Sequence, residues 1–254
     1  MSTPDGWIIC ILREGDFMKG KPPSGNKILE GLPAEESALI KAELQPFSTE
    51  IGVELLKPED GSPRVYFPDR GVLSLIIQMR DGRVAEVGLV GPEGVVGYES
   101  AFHKARTTNI VQVQVEAAGN CIDGESFEEV LNQCSELQRR ISAFTYSLAA
   151  QIEQNAGCDQ LHFPPQRLAK WLLLTQDLLD GSELSLKSDF VQRMLFGGDS
   201  EFRNAIQSFL ESGLISEDEH GLRIVDRKGL QGQACECAGR IREIYHSWRQ
   251  GQHF

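Results

Sequence analysis

The chain has 254 residues, of which 41% are hydrophobic, so it can form one large domain or two modest ones, each with its own core. Its 25 Lys and Arg against 37 Asp and Glu give a net charge of −12 at pH 7. A chain this acidic does not bind polyanions through bulk charge. Any contact with nucleic acid therefore requires a local basic surface.

Several features indicate a cytoplasmic protein with no membrane partner. The apolar run at residues 7–12 lacks a basic leader and a small-residue cleavage site. The longest apolar stretches fall well short of a bilayer span. The six cysteines are scattered along the chain, which indicates reduced thiols and not a disulfide framework.

The N-terminal half changes from a Gly- and Pro-rich arm, residues 1–25, to short helices over residues 26–43 that break near Pro33. Between residues 47 and 127, runs of Val, Ile and Tyr alternate with Gly and Asp turns, and Asp81-Gly82 is a strong hairpin turn. Strands are predicted to end at Pro68 and to cover residues 72–79, 84–90 and 110–115. Many short strands at regular spacing predict an antiparallel barrel or jelly roll.

From Phe127 onward the apolar period becomes helical and predicts one long amphipathic helix over residues 127–157. This stripe either packs on the chain's own barrel or forms a dimer seam. A helix this long extends past a small barrel, which favours the seam. The predicted interface residues are Leu137, Ile141, Phe144, Leu148 and Ile152. Gly157 and the pair Pro164-Pro165 are predicted to end the helix and mark a domain boundary.

The C-terminal part has the pattern of a winged helix-turn-helix. A short helix is predicted over residues 187–195, followed by a tight turn at Gly197-Gly198 and a second helix that begins at Asp199-Ser200. Gly213 is expected to end that helix. Residues 214–225 then predict a small hairpin, the wing.

Five segments carry a resemblance to a known family. They are Val65-Tyr66-Phe67-Pro68, Glu86-Val87-Gly88-Leu89-Val90-Gly91-Pro92-Glu93-Gly94-Val95-Val96-Gly97, Arg167-Leu168-Ala169-Lys170-Trp171-Leu172-Leu173, Asp226-Arg227-Lys228-Gly229-Leu230 and Ala234-Cys235-Glu236-Cys237. With the predicted order of parts, they resemble the cyclic-AMP receptor protein and FNR family of bacterial transcription regulators. The resemblance covers residues 26–238.

The resemblance implies an α+β fold with an N-terminal β-barrel of the jelly-roll, cyclic-nucleotide-binding-like type. The implied parts are a sensor barrel at 26–126, a dimerisation helix at 127–157, a winged helix-turn-helix at 158–238 and a helical tail at 239–254. It further implies a homodimer whose recognition helix enters the major groove of a palindromic DNA site. RNA polymerase is a candidate further partner.

The recognition helix is where this chain departs most from the family. Family members usually carry arginines there, because the planar guanidinium matches the two acceptors of guanine. Here residues 182–215 contain three basic and five acidic residues. The candidate DNA-binding residues are Lys187, Ser188, Asp199, Ser200, Glu201, Arg203, Asn204 and Gln207.

Two interpretations follow for this helix. In the first, Asn204 and Gln207 read adenine, Glu201 accepts from cytosine and Lys187 holds a phosphate. In the second, the chain is a sensor or protein-interaction module that keeps the scaffold without binding DNA.

The candidate effector residues are Tyr98, Glu99, Arg106 and Thr107, of which Arg106 and Thr107 could clasp an anion. Cyclic-nucleotide members show a Gly-Glu pair and an Arg-Ser or Arg-Thr pair. In this chain the glutamate is displaced by one residue and the arginine is out of register. Cyclic AMP is therefore not predicted, and the effector stays open.

No metal, iron–sulfur cluster or catalytic site is predicted. Iron–sulfur members use clustered N-terminal thiolates, whereas Cys10 stands alone. Cys158 and His162 share a helix face but lack two further ligands nearby in sequence, and the pair Cys235 and Cys237 is close-set, so packed thiols are expected. The chain contains no G-x-S-x-G, P-loop or H-E-x-x-H motif, which argues against an enzyme.

Overall fold

An antiparallel sheet forms the N-terminal half of the chain, and helices and a small hairpin follow it. The computed structural model describes residues 25–58, 60, 64–101, 107–179, 184, 186, 191, 200–219 and 221–249. The helices are α1 (Ala34–Glu43), α2 (Gly124–Leu131), α3 (Ser135–Leu161), α4 (Pro164–Leu178), α5 (Ser200–Glu211), α6 (Arg227–Gln233) and α7 (Cys237–Arg249), with a 3-10 helix at Tyr98–Ala101. The strands are β1 (Gln45–Thr49), β2 (Glu54–Leu56), β3 (Arg64–Gln78), β4 (Val84–Val90), β5 (Ile110–Asp123), β6 (Ile215–Asp218) and β7 (Gly221–Ile224).

The sheet is built on two long strands, β3 and β5, of 15 and 14 residues. Its order is β1-β5-β3-β4, and β2 pairs with the other part of β5. The hairpin predicted at Asp81-Gly82 is confirmed, since Gly82 adopts a φ of 84° and the Met79 N–H donates to the Arg83 carbonyl at 2.8 Å. This hairpin joins β3 to β4.

The predicted break between Pro68 and residue 72 is wrong, because β3 runs through it as one strand. The register against β5 shifts on either side of Arg70, which accommodates the missing N–H of Pro68. Gly71 has a φ of 88°, and a Cβ there would lie 2.3 Å from the Glu116 carbonyl oxygen. A bulge with glycine at its centre therefore replaces the predicted turn.

The structure corrects the predicted barrel. Within the described residues, the strand path ends at β1 and at β4, which do not pair with each other, so no closed barrel is found. The sequence predicted many short strands, whereas the sheet is built mainly on two long, bulged strands, β3 and β5. The Tyr66 and Val96 backbones exchange hydrogen bonds of 2.9 and 3.1 Å, which hold the segment after β4 against β3.

The long helix predicted over residues 127–157 is two helices. The Asp123 carboxylate caps α2 by accepting from the Ser126 N–H at 2.9 Å, which lowers the pKa of Asp123. At the start of α3, the Glu36 carboxylate of α1 accepts from the backbone N–H groups of Glu136 and Leu137, both at 3.0 Å. A capping residue one hundred positions away along the chain thus lets a new helix begin.

The apolar stripe of α3 faces the chain's own sheet. Leu137, Ile141, Phe144 and Leu148 are at most 7% exposed within the N-terminal core, and Ile152 packs partly buried against it. The burial of these four side chains within one chain favours the alternative in which the stripe packs on its own sheet. Their role in a dimer seam stays a prediction.

The C-terminal helices and hairpin share a second core. Helix α3 continues past Gly157 to Leu161, and the pair Pro164-Pro165 begins α4, where missing N–H groups cost nothing.

Gly213 ends α5 with a φ of 70°, as predicted. The predicted first helix of the helix-turn-helix and the turn at Gly197-Gly198 lie mostly outside the described residues. None of the described helices is long and apolar enough to cross a bilayer.

Candidate nucleic-acid interface and effector loop

Helix α5 has one buried face and one exposed polar face. Phe202, Ile206 and Phe209 are at most 4% exposed in the core shared with α4. The Arg167 guanidinium of α4 lies 5.4 Å from the centre of the Phe202 ring, which adds a cation–π contact. The exposed face carries five of the predicted DNA-binding residues: Ser200, Glu201, Arg203, Asn204 and Gln207.

The other three predicted residues, Lys187, Ser188 and Asp199, lie outside the described residues. On the exposed face of α5, the Gln207 amide donates to Glu211 Oε1 at 2.9 Å. This contact between exposed side chains is weak and can be exchanged for a base edge.

The hairpin that follows α5 is acidic. Residues 217–219 are three consecutive exposed acidic residues, and Arg223 pairs with Asp218 at 3.4 Å. The described parts of α5 and the hairpin contain two arginines and five acidic residues. The exposed surface therefore has base-reading groups in place but little attraction for phosphates.

The structure describes three of the predicted effector residues, Tyr98, Glu99 and Thr107. Tyr98 is buried and packs edge-on to Phe144, with ring centres 6.4 Å apart, and burial raises the pKa of Tyr98. The Thr107 hydroxyl donates to the Asn109 carbonyl at 3.1 Å, so it is engaged in its own turn. Arg106 lies outside the described residues. Tyr98 thus belongs to the core.

Glu99 differs from the other described members of the effector set in having a buried oxygen without a partner. Among the described residues, no hydrogen-bond partner reaches its buried Oε2, and burial raises the pKa of Glu99. Its 3-10 helix ends at Ala101, which borders a cavity of about 330 Å³ between α2 and α3. The volume lies at the lower end of the range for small-molecule sites.

A polar network that the sequence did not reveal joins the sheet to α4. The Trp171 indole N–H donates to Glu86 Oε1 at 2.7 Å, and Ser74 Oγ lies 2.7 Å from Glu86 Oε2. Ser74 Oγ also lies 2.9 Å from Gln114 Oε1, and the Gln114 amide donates to Thr175 Oγ1 at 2.9 Å. Desolvation, opposed by these hydrogen bonds, raises the pKa of Glu86 to about 7. A protonated Glu86 can donate to Ser74, which then donates to Gln114.

The thiol–imidazole pair Cys158 and His162 has partners after all. Cys158 Sγ lies 3.6 Å from Cys235 Sγ, and His162 Nδ1 lies 3.6 Å from Cys237 Sγ. The sequence offers no two further ligands near this pair along the chain, but the fold brings Cys235 and Cys237 to it from 75 or more residues away. A hydrogen bond from the Cys235 thiol lowers the pKa of Cys158 to about 4, and the same contact raises the pKa of Cys235.

Comparison with known proteins places this fold. No protein-family profile and no curated protein sequence matches the chain. A crp/fnr-family transcriptional regulator from Eubacterium rectale matches with a TM-score of 0.61 at 14% identity, over 80% of this chain and 94% of its own. FixK2 from Bradyrhizobium japonicum matches with a TM-score of 0.62 at 15% identity, over 76% and 98%. The c-di-GMP-responsive regulator CLP from Xanthomonas campestris matches with a TM-score of 0.59 at 15% identity, over 76% and 99%.

The chain has the Crp/Fnr fold. At these identities the likeness is one of fold, and it confirms the resemblance seen in the five sequence segments. Two features inside this Crp/Fnr fold escaped the sequence analysis, the Glu86 network and the thiol cluster. The sequence did carry a signal for the thiol cluster, because Lys170 is the one charged residue in the apolar run 168–174 of α4. In the structure this lysine is only 6% exposed.

Proposed function

We propose that the chain is a homodimeric transcription regulator that binds double-stranded DNA through α5. The main support for this proposal is the exposed face of α5, which presents Arg203, Asn204 and Gln207 on the side opposite its buried apolar face. In this proposal, Arg203 contacts a guanine edge or phosphate, the amides contact adenine and Glu201 accepts from cytosine. Lys187, Ser188 and Asp199 complete the proposed interface, with the β6–β7 hairpin as the wing.

The test of DNA binding is a salt-titrated anisotropy assay with a fragment of the protein's own promoter region. Arg203→Ala is expected to weaken binding about tenfold, which corresponds to one lost arginine contact. Arg83→Ala is the matched control, since Arg83 lies 80% exposed in the β3–β4 hairpin and carries the same charge. If no specific binding occurs even at low salt, the DNA-binding proposal is wrong.

A second candidate function has its own support in the acidic surface. Five acidic residues against two arginines on α5 and the hairpin suit a basic protein partner better than a polyanion. In that case the chain is a sensor or interaction module, and Arg203→Ala leaves the DNA assay unchanged because no specific complex forms.

The proposed dimer uses the face of α3 that points away from the sheet. Along that face lie Tyr146, which is 60% exposed, and the exposed Ala149, Glu153 and Ala156, at helical steps of three and four. Small residues at this spacing allow two helices to approach closely. This face replaces the stripe around Phe144 as the proposed seam.

We expect Ala149→Glu to raise the dimer dissociation constant at least about tenfold, because it inserts a charge into a close helix–helix contact. Sedimentation velocity over a range of protein concentrations measures this constant. Ala85→Glu, at an exposed position of β4, is the control and should leave the constant unchanged. An unaltered dimer in the Ala149 variant, or a monomeric wild type, contradicts the proposed seam.

Sensing is proposed to reside in the N-terminal half. Glu99, with its buried oxygen, belongs to the same 3-10 helix as Ala101 at the 330 Å³ cavity. A ligand in that cavity would contact α2 and α3 directly. RNA polymerase is a proposed partner of the DNA-bound form.

A further inference from the structure

Four side chains that bind transition metals meet where the end of α3 contacts the start of α7. Cys158 and His162 come from the last turn and the C-terminal cap of α3, and Cys235 and Cys237 come from the junction of α6 and α7. Their sulfur and nitrogen atoms all lie within 4.8 Å of one another. The three thiols are at most 5% exposed and form a small core of their own.

Two of the separations between these atoms match the edges of a tetrahedral zinc site. With Zn–S bonds of about 2.3 Å and Zn–N bonds of about 2.0–2.1 Å, tetrahedral angles give edges of about 3.8 Å between sulfurs and about 3.6 Å between sulfur and nitrogen. The Cys158–Cys235 separation is 3.6 Å, and the separation of Cys237 Sγ from His162 Nδ1 is 3.6 Å. Four protein ligands fill a tetrahedron and leave no open position, which is the pattern of a structural site.

Contacts around the four ligands fix them as a metal site requires. His162 Nε2 lies 3.1 Å from Glu236 Oε2, so this carboxylate orients the ring with Nδ1 toward the thiols. A carboxylate on the far nitrogen is the usual support of a metal-bound histidine. The Gln154 amide donates to Cys237 Sγ at 3.1 Å, which fixes the position of that sulfur.

The charge of the surroundings also fits a dication bound by three thiolates. Such a centre has one net negative charge, and a buried charge needs a partner. Lys170 of α4 is only 6% exposed, and its ammonium interacts with Cys158 and donates to Asn155 Oδ1 at 2.8 Å. Lys170 therefore supplies a positive charge next to Cys158, as such an anionic centre requires.

We infer that Cys158, His162, Cys235 and Cys237 form a binding site for one zinc ion, which fastens the α6–α7 segment to the end of α3. This inference does not depend on the proposed function. A disulfide between Cys158 and Cys235 is the alternative, and it would leave the placement of Cys237 and His162 beside them unexplained. An iron–sulfur cluster is too large, because four ligand atoms within 4.8 Å of one another enclose room for a single ion.

The test begins with the full-length protein, purified under reducing conditions without chelator. Metal analysis is expected to give about one zinc per chain. After zinc is removed, titration with Co²⁺ alone should produce sulfur-to-cobalt charge-transfer bands and the intense d–d bands of tetrahedral cobalt. A protein that contains no zinc and gives no cobalt spectrum overturns the inference. Iron in place of zinc, or an intact mass two hydrogens lower without metal, also overturns it.

Variants locate the ion. Cys237→Ser and His162→Ala are expected to lose most of the zinc and to lower Tm by roughly 10 °C. Cys134→Ser is the matched control, because Cys134 is another buried free cysteine, at the start of α3. It should keep its zinc even if its own Tm falls. Equal zinc content in all three variants would place the metal elsewhere and refute the assignment.

Discussion

Replacing Phe144 with alanine is expected to lower the free energy of unfolding by about 3–5 kcal/mol, the cost of removing a fully buried aromatic ring. The Phe144 ring is 0% exposed and packs against Tyr98. It also lies so close to the backbone after β4 that a Cβ added to Gly94 would be 2.4 Å from the ring. The ring therefore fills the space between Gly94 and Tyr98, and its removal leaves a cavity there.

Urea denaturation at a fixed protein concentration measures this loss. Leu39→Ala is the control, since Leu39 lies 41% exposed on α1 and its truncation should cost less than about 1 kcal/mol. A loss of about 3–5 kcal/mol in the free energy of unfolding is the result expected if the stripe of α3 packs on its own sheet. Dissociation of a dimer with unchanged unfolding would instead show that Phe144 faces a second copy.

The Glu86→Gln variant is expected to be more stable than the wild type at pH 8 by about 2–3 kcal/mol and equally stable at pH 4.5. The pKa of Glu86 is about 7 in the folded chain and near its ordinary value of 4.5 when unfolded. A shift of this size corresponds to about 3 kcal/mol, reduced somewhat because the residue is only partly buried. Glutamine copies the protonated acid, accepting from Trp171 and donating to Ser74.

The direction of the pH effect follows from the raised pKa of Glu86. Below pH 4.5 the group is protonated in both states, so its stabilising contribution is complete. As the pH rises toward 7, the unfolded chain releases the proton first and the contribution is lost. The wild-type stability should therefore fall between pH 4.5 and pH 7 in a way that the variant does not share.

Denaturation curves at several pH values between 4.5 and 8 test this prediction. Glu50→Gln, at an exposed position after β1, is the matched control and should change stability by less than about 0.5 kcal/mol at every pH. Glu86→Ala should destabilise the fold, because the Trp171 N–H loses its acceptor. A Glu86→Gln variant that is less stable at pH 8 would show that the buried carboxyl is ionised and held by its donors.

Local patterns in the sequence were enough to predict the hairpin at Asp81-Gly82, the apolar stripe of α3 and the end of α5 at Gly213. Each depends on neighbours within a few residues, where periodicity and turn chemistry are informative. The same periodicity marked Phe144 as one member of an apolar face but could not say what covers that face. The fold class followed from the order of the parts, whereas closure of the barrel did not.

The features that were missed all depend on contacts between distant parts of the chain. Glu36 starts α3 from a position one hundred residues earlier, and Cys158 meets Cys235 across 77 residues. Neither pairing leaves a local pattern, because each ligand or cap alone resembles an ordinary polar or small residue. The Glu86 network is hidden for the same reason, since its members lie on three strands and one helix.

Helix α3 is held at both of its ends. Glu36 caps its first turn, and the thiol cluster holds its last turn against α7. Its 27 residues make a rod of about 40 Å, so a tilt of one degree at the capped end displaces the far end by about 0.7 Å. A tilt of that kind would couple the position of α1 to that of α7 through one continuous helix.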